Sequence, residues 1–543
     1  MRKVFCWTLL QKSVNLRTPP FITHLHISTS ASKASVMSNN TQGNTQGNTQ
    51  GKTSFGHVLK YTGLFGSVQG LSMLAGVVRT KVVALFLGPS GLALINLYNT
   101  MANLVSQCTN LGVSFSAVKD VAECHAAGDA AATSRSVESV RVWCMITALF
   151  GTAVCLMLSP LISWLTFGNH DYTLSIALLS PMVGMLAVTG GEMAILKGLK
   201  RLKRVAFVSM LAAVASVVVY IPLYALWGMA AIVPALLLCN LLIMAIHLYY
   251  ATRVMPWHCP LFSRKALGRG VPFIKLGVAY IVSGAFGQGA EYAMRALLLR
   301  DGGMDVVGFY NCGYMLIVSY TSLVFLAVEN DYYPRLSAVM HQRTLMNDAV
   351  NKQIEVCALL VSPVLVVFVL LMPFVVRLLF SAQFATAVGM STCAVFYMFF
   401  RAFTLPAAYL PLAAGHSRTY MAMELIYDVA LTAAVPVAYH YYGLNGTGWA
   451  LSVMGLLDLL LIHGYYRYKY HYQFRCQAWH IYAVQFALLC GAVYAALELP
   501  LAPRCMVGAV VALTSIWLSL RQLNKETGMV AKVMQRLKRG RTE

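Results

Sequence analysis

The stretch Ala75–Gly91 reads AGVVRTKVVALFLGPSG. Its apolarity suits a membrane-crossing helix, yet Arg79 and Lys81 stand in the middle of it. A cation near the bilayer centre costs about 2.5–3.5 kcal/mol on insertion scales. Two in one span call for water, an anion or a polar partner at membrane depth.

The whole chain lives under the same constraint. Of its 543 residues, 58% are hydrophobic and 11% charged, with mean hydropathy +0.65. Soluble proteins carry about 25% charged residues. Apolar runs of roughly 20 residues follow one another almost without pause, which sets the fold class as an all-α polytopic membrane protein. Net charge is +22, from 41 Lys and Arg against 19 Asp and Glu. Nucleic acid is excluded as a partner, because the cations are scattered among short loops and no soluble domain presents a groove. The bilayer is the expected partner instead. No GxxxxGK[ST] motif is present. The 13 cysteines show no CxxC pair or zinc spacing, and Cys144, Cys155, Cys239, Cys357 and Cys490 read as small hydrophobes inside apolar runs. No cofactor or metal is expected.

Hydropathy predicts about fourteen membrane helices, the first at 59–85 and the last pair at 479–498 and 502–520. Loops alternate in character. One set carries Arg135 and Arg141, the Lys197–Arg204 cluster, Arg253 to Arg269, and Arg467 to Arg475. The other set is short and nearly free of cations: 168–172, 227–228, 381–386 and 441–446. The positive-inside rule then places both termini in the cytoplasm.

Five matches in chain order point to an internal duplication. Pro160-LISWLTFG and Pro373-FVVRLLFS are 213 residues apart, Tyr98 and Tyr310 212, Pro222 and Pro436 214, Gly228 and Gly443 215, and His247 and His463 216. Each copy holds six helices, an even number, so both run the same way through the membrane and are related by a pseudo-two-fold axis along its normal. The expected organisation is a tail at 1–57, an N-lobe at 58–252, a basic cytoplasmic linker at 253–272, a C-lobe at 273–468, an extra helix pair at 469–520 and a basic cytoplasmic tail at 521–543. Residues 1–36 are basic and lack acids, which suits a transit peptide or an upstream start ahead of Met37; the second reading is preferred. The triple NTQG repeat after Met37 is too polar to bury a core.

Candidate charges at membrane depth are Arg79, Lys81, Glu192, Lys275, Glu291, Arg295, Arg377, Arg401, Glu424, Asp428 and Asp458. Facing lipid, several of these would cost on the order of 10–20 kcal/mol, more than a domain's stability of about 5–15 kcal/mol. They must face each other or a wet cavity. Lys275, Arg377 and Glu424 lie close enough to helix ends to snorkel. Glu291 and Arg295 are spaced for an internal helix pair. Arg79, Lys81 and Arg401 have no carboxylate three or four residues away and are expected to line a cationic cavity. Asp428 and Asp458 are candidates for carrying a proton or ion, with Glu291, or for hydrogen bonding a neighbouring helix.

The stretches LFLGPSGLALINLYNT (85–100), FGNHDYT (167–173), LKGLKRLKRVAF (196–207), YYPRLS (332–337) and LFSAQFATA (379–387) resemble the Wzx-type flippases of O-antigen and other lipid-linked oligosaccharides. The enterobacterial common antigen translocase branch is the most similar. These flippases share a superfamily with MATE antiporters and the lipid flippase MurJ, and the resemblance covers about 57–470. It implies two six-helix bundles with alternating access in the bacterial inner membrane. It implies an undecaprenyl-diphosphate-linked repeat unit as cargo, a glycan polymerase and chain-length regulator as partners, and a transporter rather than an enzyme. Met294-Arg295-Ala296-Leu297 resembles a family segment with Arg in the same place, which carries a cargo-binding role to Arg295. A diphosphate is best held by paired guanidinium hydrogen bonds, so Arg79, Lys81, Arg295 and Arg401 are the expected binding set. Two other classes remain open: a MATE-type cation or drug antiporter, which favours acidic cavity residues, and a membrane glycan polymerase or glycosyltransferase, which needs a sizeable outside loop.

Overall fold

The computed structural model describes residues 71–258, apart from Met73, and 264–527. The readings for 1–57 and for the end of the basic tail lie outside the described residues. So do the middle of the linker, the side chains of 264–266 and 272–283 with Lys275 among them, and several side chains between 319 and 334. Among the described residues there is no strand.

Helix α1 spans 74–86 and stops where Gly88 takes a left-handed φ of 65° ahead of Pro89. Proline disfavours helical geometry in the residue before it, and glycine alone takes this turn without strain. The chain re-enters as α2, Gly88–Thr109, and turns through Leu111 and Gly112 into α3, Val113–Ala126. Asp129 caps α4, Ala130–Phe167, by accepting from the amides of Ala131 and Ala132. At 38 residues α4 is about 57 Å long, so its first turns project beyond the bilayer. Next come α5, Thr173–Gly198, α6, Leu202–Trp227, and α7, Ile232–Thr252, with a reversal at Gly228 (φ 52°, ψ −131°) between the last two.

The second half repeats this order. Helix α8, Arg264–Tyr314, has two arms meeting at Gly303 (φ 78°) and continues through a π turn at Met315–Ser319 into α9, Tyr320–Val339. Helix α10, Arg343–Leu379, is the 37-residue counterpart of α4 and carries Pro373 where α4 carries Pro160. Helix α11, Ala387–Ala408, is followed by a single turn at Leu410–Ala413. Helix α12, Ser417–Lys469, reverses at Gly443 (φ 63°, ψ −157°), as the chain reverses at Gly228. Helices α13, Cys476–Glu498, and α14, Leu501–Thr527, complete the described chain.

Among the described residues, seven stretches are long and apolar enough to cross a membrane: 130–167, 173–198, 202–252, 343–379, 382–413, 417–469 and 502–525. Leu202–Thr252 and Ser417–Lys469 are 51 and 53 residues long and double back at Gly228 and Gly443, so each is a pair of crossings. The protein is therefore a multi-pass membrane protein. Its outer faces are apolar: Met157 on α4 is 79% exposed and Leu460 on α12 60%, as lipid contact demands. Helix α11 is the exception. Its apolar window is 89% buried, against 6% for Ser417–Lys469. It packs against α8, α10, α12 and α13 and forms the axis of the second half.

One sequence expectation is corrected here. Arg141 was grouped with the solvent-facing basic loops, but it sits within α4 and is 2% exposed. Its Nε donates to Glu192 Oε1 at 2.9 Å and its Nη2 to Oε2 at 3.2 Å. It also donates to the carbonyls of Met255 and Pro256, with Trp257 against its guanidinium. Glu192 is thus paired, and the pair ties α4 and α5 to the start of the linker.

Candidate functional site

Inside the second half, α8, α11 and α12 bring Glu291, Arg295, Arg401, Glu424, Asp428 and Asp458 together; Arg377 lies apart, on α10. The Nη1 of Arg295 lies 2.7 Å from Glu291 Oε1, and its Nε donates to Asn311 Oδ1 at 2.8 Å. The Tyr314 ring lies 5.9 Å from its guanidinium. The Nδ2 of Asn311 is buried with no hydrogen-bond partner among the described residues. On α11, Arg401 stands 3.9 Å from Asp458 and within electrostatic reach of Tyr397, Glu424 and Tyr427. Asp428 faces α8 at Gly287, where a Cβ would stand 3.5 Å from its Oδ2. The helix pair Glu291–Arg295, one of the two readings of those residues, is present.

The balance of this cluster differs from the expected cationic lining. Two arginines stand among four carboxylates, Glu291, Glu424, Asp428 and Asp458. A guanidinium taken from water needs a counter-charge and oriented acceptors; Arg295 has both in Glu291 and Asn311, and Arg401 has its counter-charge in Asp458.

Arg79 and Lys81 do not join this cluster. Arg79 is exposed and lies within electrostatic reach of Tyr220, Tyr224 and Cys239 on α6 and α7. Lys81 is fully committed elsewhere. Its Nζ donates to the carbonyls of Arg377, at 2.8 Å, and Phe380, at the C-terminus of α10. Those carbonyls have no helical partner and carry the negative end of the helix dipole, so a cation there is favourable. Neighbouring spacing in sequence could not reveal a partner 296 residues away.

Arg300 repeats the arrangement in reverse. Its Nη2 donates to the carbonyls of Trp164, at 2.8 Å, and Leu165, near the C-terminus of α4. Trp164 and Arg377 are 213 residues apart, the offset of the two proline motifs. Each half therefore lends a cation from its first helix to the end of the other half's long helix. Ser90 with Asp305 and Thr166 with Tyr292 add cross-half hydrogen bonds on the same side. Gly308 approaches the carbonyl of Pro89 so closely that a Cβ there would stand 2.1 Å from the oxygen. The halves are closed where the short, cation-poor loops lie. Toward the basic loops lies a cavity of about 370 Å³, lined by α2, α3 and α5 of the first half and by Gln288 of α8; on that side too the halves touch, through Glu138 with Arg269 and Trp143 with the carbonyl of Leu267. Among the described residues, no cluster of His, Cys, Asp and Glu is placed to hold a metal ion by its own ligands.

A sequence model of the family described as polysaccharide biosynthesis protein matches residues 82–389, more than half of the chain. No curated protein matches the sequence. Several solved structures resemble the fold, three of them as follows. The lipid II flippase MurJ in an inward closed conformation aligns at 13% identity with a TM-score of 0.63, covering 85% of this chain and 99% of that one. An inward-facing multidrug resistance MATE transporter of the MOP superfamily aligns at 14% identity and TM-score 0.61, over 74% and 94% of the two chains. An outward-facing one aligns at 17% and 0.50, over 75% and 93%. At such identities the likeness concerns the fold alone.

Proposed function

The chain belongs to the polysaccharide biosynthesis protein family, and on that premise we propose that it flips an undecaprenyl-diphosphate-linked oligosaccharide across the bacterial inner membrane. The observation that carries this reading is the reciprocal latch: two repeated halves each lend a cation, Lys81 or Arg300, to the end of the other's long helix on one side, with a polar cavity toward the other side. That is the arrangement an alternating-access carrier needs. The bodies that rock are the lobes 58–252 and 273–468, joined by the linker 253–272, with both termini in the cytoplasm and 469–520 as an appended pair. A glycan polymerase and chain-length regulator receive the product on the outer side.

A diphosphate cannot cross hydrocarbon with its charges bare. Arg295 and Arg401 are the residues of the expected four that remain to meet it, since Lys81 holds α10 and Arg79 lies by α6 and α7. Each arginine stands beside a carboxylate, Glu291 or Asp458. Uptake of a proton or cation at Glu291, Asp428 or Asp458 releases the guanidinium to phosphate, and its departure takes the arginine back. Cargo and counter-ion are coupled through exchange of partners. No step calls for a cofactor or bond-breaking, so the protein acts as a transporter.

The surplus of carboxylates favours a second reading, a cation antiporter without lipid cargo. Proteoliposomes carrying the purified protein and a lipid-linked oligosaccharide decide between them. The flippase reading expects the glycan to become accessible to an external lectin, and Arg295→Ala to abolish this while leaving the protein in the membrane. Proton-coupled cation efflux without glycan exposure would establish the second reading instead.

A further inference from the structure

The cavity between α2 and the first arm of α8 has a distinctive lining. Six of its side chains are polar and uncharged: Asn103, Ser106, Gln107, Asn110, Ser114 and Gln288. Gly112, Phe115 and Leu186 add to its wall, and among the described residues no acidic or basic side chain lines it. Asn110 is satisfied within the protein, by Ser114 at 2.6 Å and Thr147 at 3.5 Å. The carboxamides of Asn103, Gln107 and Gln288 have no hydrogen bond to another described residue. Room has been made for these groups. A Cβ at Gly284 would stand 2.0 Å from Gln107 Nε2, and one at Gly190 would stand 2.6 Å from Ser114 Oγ.

Three amides without partners at membrane depth are costly unless water or a ligand meets them. Each carboxamide offers two donors and an acceptor, which suits a ligand whose hydroxyls both donate and accept. A phosphate or a cation would find no counter-charge here. The volume lies within the range of about 300–1,000 Å³ usual for small-ligand sites. Position along α8 ties this cavity to the charged cluster. Gln288 precedes Glu291 by three residues and Arg295 by seven, so all three lie along one helix face, about 10 Å from end to end.

We propose that this cavity is a sugar subsite, which takes neutral glycan residues of the lipid-linked cargo while the diphosphate sits toward Arg295. The assignment rests on the flippase reading above. It divides recognition between two chemistries: uncharged amides for the glycan and guanidinium for the phosphates.

The test uses the full chain in nanodiscs, titrated with bare undecaprenyl diphosphate and with the same lipid carrying N-acetylglucosamine, galactose or glucose. At least one sugar-bearing lipid is expected to bind about tenfold tighter than the bare lipid. Gln107→Leu combined with Gln288→Leu should bring the sugar-bearing lipid down to the affinity of the bare one. Should that double variant fail to fold, Asn103→Leu, at an exposed position, reads the same loss. Equal binding of bare and sugar-bearing lipids by the unaltered protein overturns the sugar subsite and leaves the flippase reading intact. Retention of the gain by the variants also overturns it, placing the sugar elsewhere. Failure of every lipid to bind overturns the flippase reading and the subsite with it.

Discussion

Lys81 Nζ donates to the carbonyl of Arg377 at 2.8 Å, and so closes one half of the protein onto the end of the other half's long helix. Arg300, from the other half, does the same to Trp164. The two contacts are pseudo-equivalent, so in the alternating-access cycle proposed above they would make and break together.

Removing both cations should favour the state open on this side. A cation at a helix C-terminus is worth about 0.3–1 kcal/mol, and up to about 2 kcal/mol when partly buried. Lys81→Met with Arg300→Met should therefore shift the conformational equilibrium by roughly five- to thirtyfold, as one or two kcal/mol does. Spin labels at Asn169 and Gln383, on the two short loops, should report a longer distance in the double variant. An unchanged distance distribution would show that the latch has no bearing on conformation.

Gly308→Ala acts on the same closure through shape. Its new Cβ would fall 2.1 Å from the Pro89 carbonyl oxygen, a backbone atom that cannot swing aside. Overpacking of this kind costs about 1–3 kcal/mol, and parting the halves relieves it. The same spin-label pair should again lengthen, with all charges intact.

The Arg141–Glu192 pair is expected to matter for stability. Both side chains are buried, at 2% and 3% exposure. Breaking such a pair from one side costs about 3–5 kcal/mol, because the remaining charge is stranded. Glu192→Ala should lower the thermal aggregation midpoint in detergent sharply. Arg141→Met with Glu192→Leu should recover most of the loss, since matched apolar residues leave no stranded charge.

Acid should loosen the junction between α10 and the connector to α13. Asn351 and Asn347 hydrogen bond the backbone at Gln473, and Asp348 accepts from Lys352 and Arg475, both at 2.8 Å. The Lys352 hydrogen bond, with help from Arg475, holds the Asp348 carboxyl below its ordinary range. A group depressed in the folded state contributes fully above its unfolded pKa and loses that contribution as pH falls through the folded one. Proteolysis of the 470–475 connector should therefore be flat from pH 7 to 5 and rise only below the usual carboxylate range. In Asp348→Asn this added sensitivity should be absent, leaving the connector equally loose at every pH.

The membrane class, the order of the helices, the duplication and the cation-poor loops were legible in the chain because each depends on neighbours in sequence. Gly228 and Gly443 turn the chain where their spacing placed them, and Glu291 pairs with Arg295 one helical turn away. The partners of the remaining charges were not legible. Lys81 meets a carbonyl 296 residues distant, Arg141 looked like a loop cation until α4 was seen to extend beyond the bilayer, and Arg401 meets Asp458 across two helices. The three amides facing one cavity formed no motif at all, since uncharged polar residues leave no trace in hydropathy or charge. Local hydrophobic pattern dictates which segments become helices, but counter-charges and cavities arise only when helices far apart in the chain are packed together.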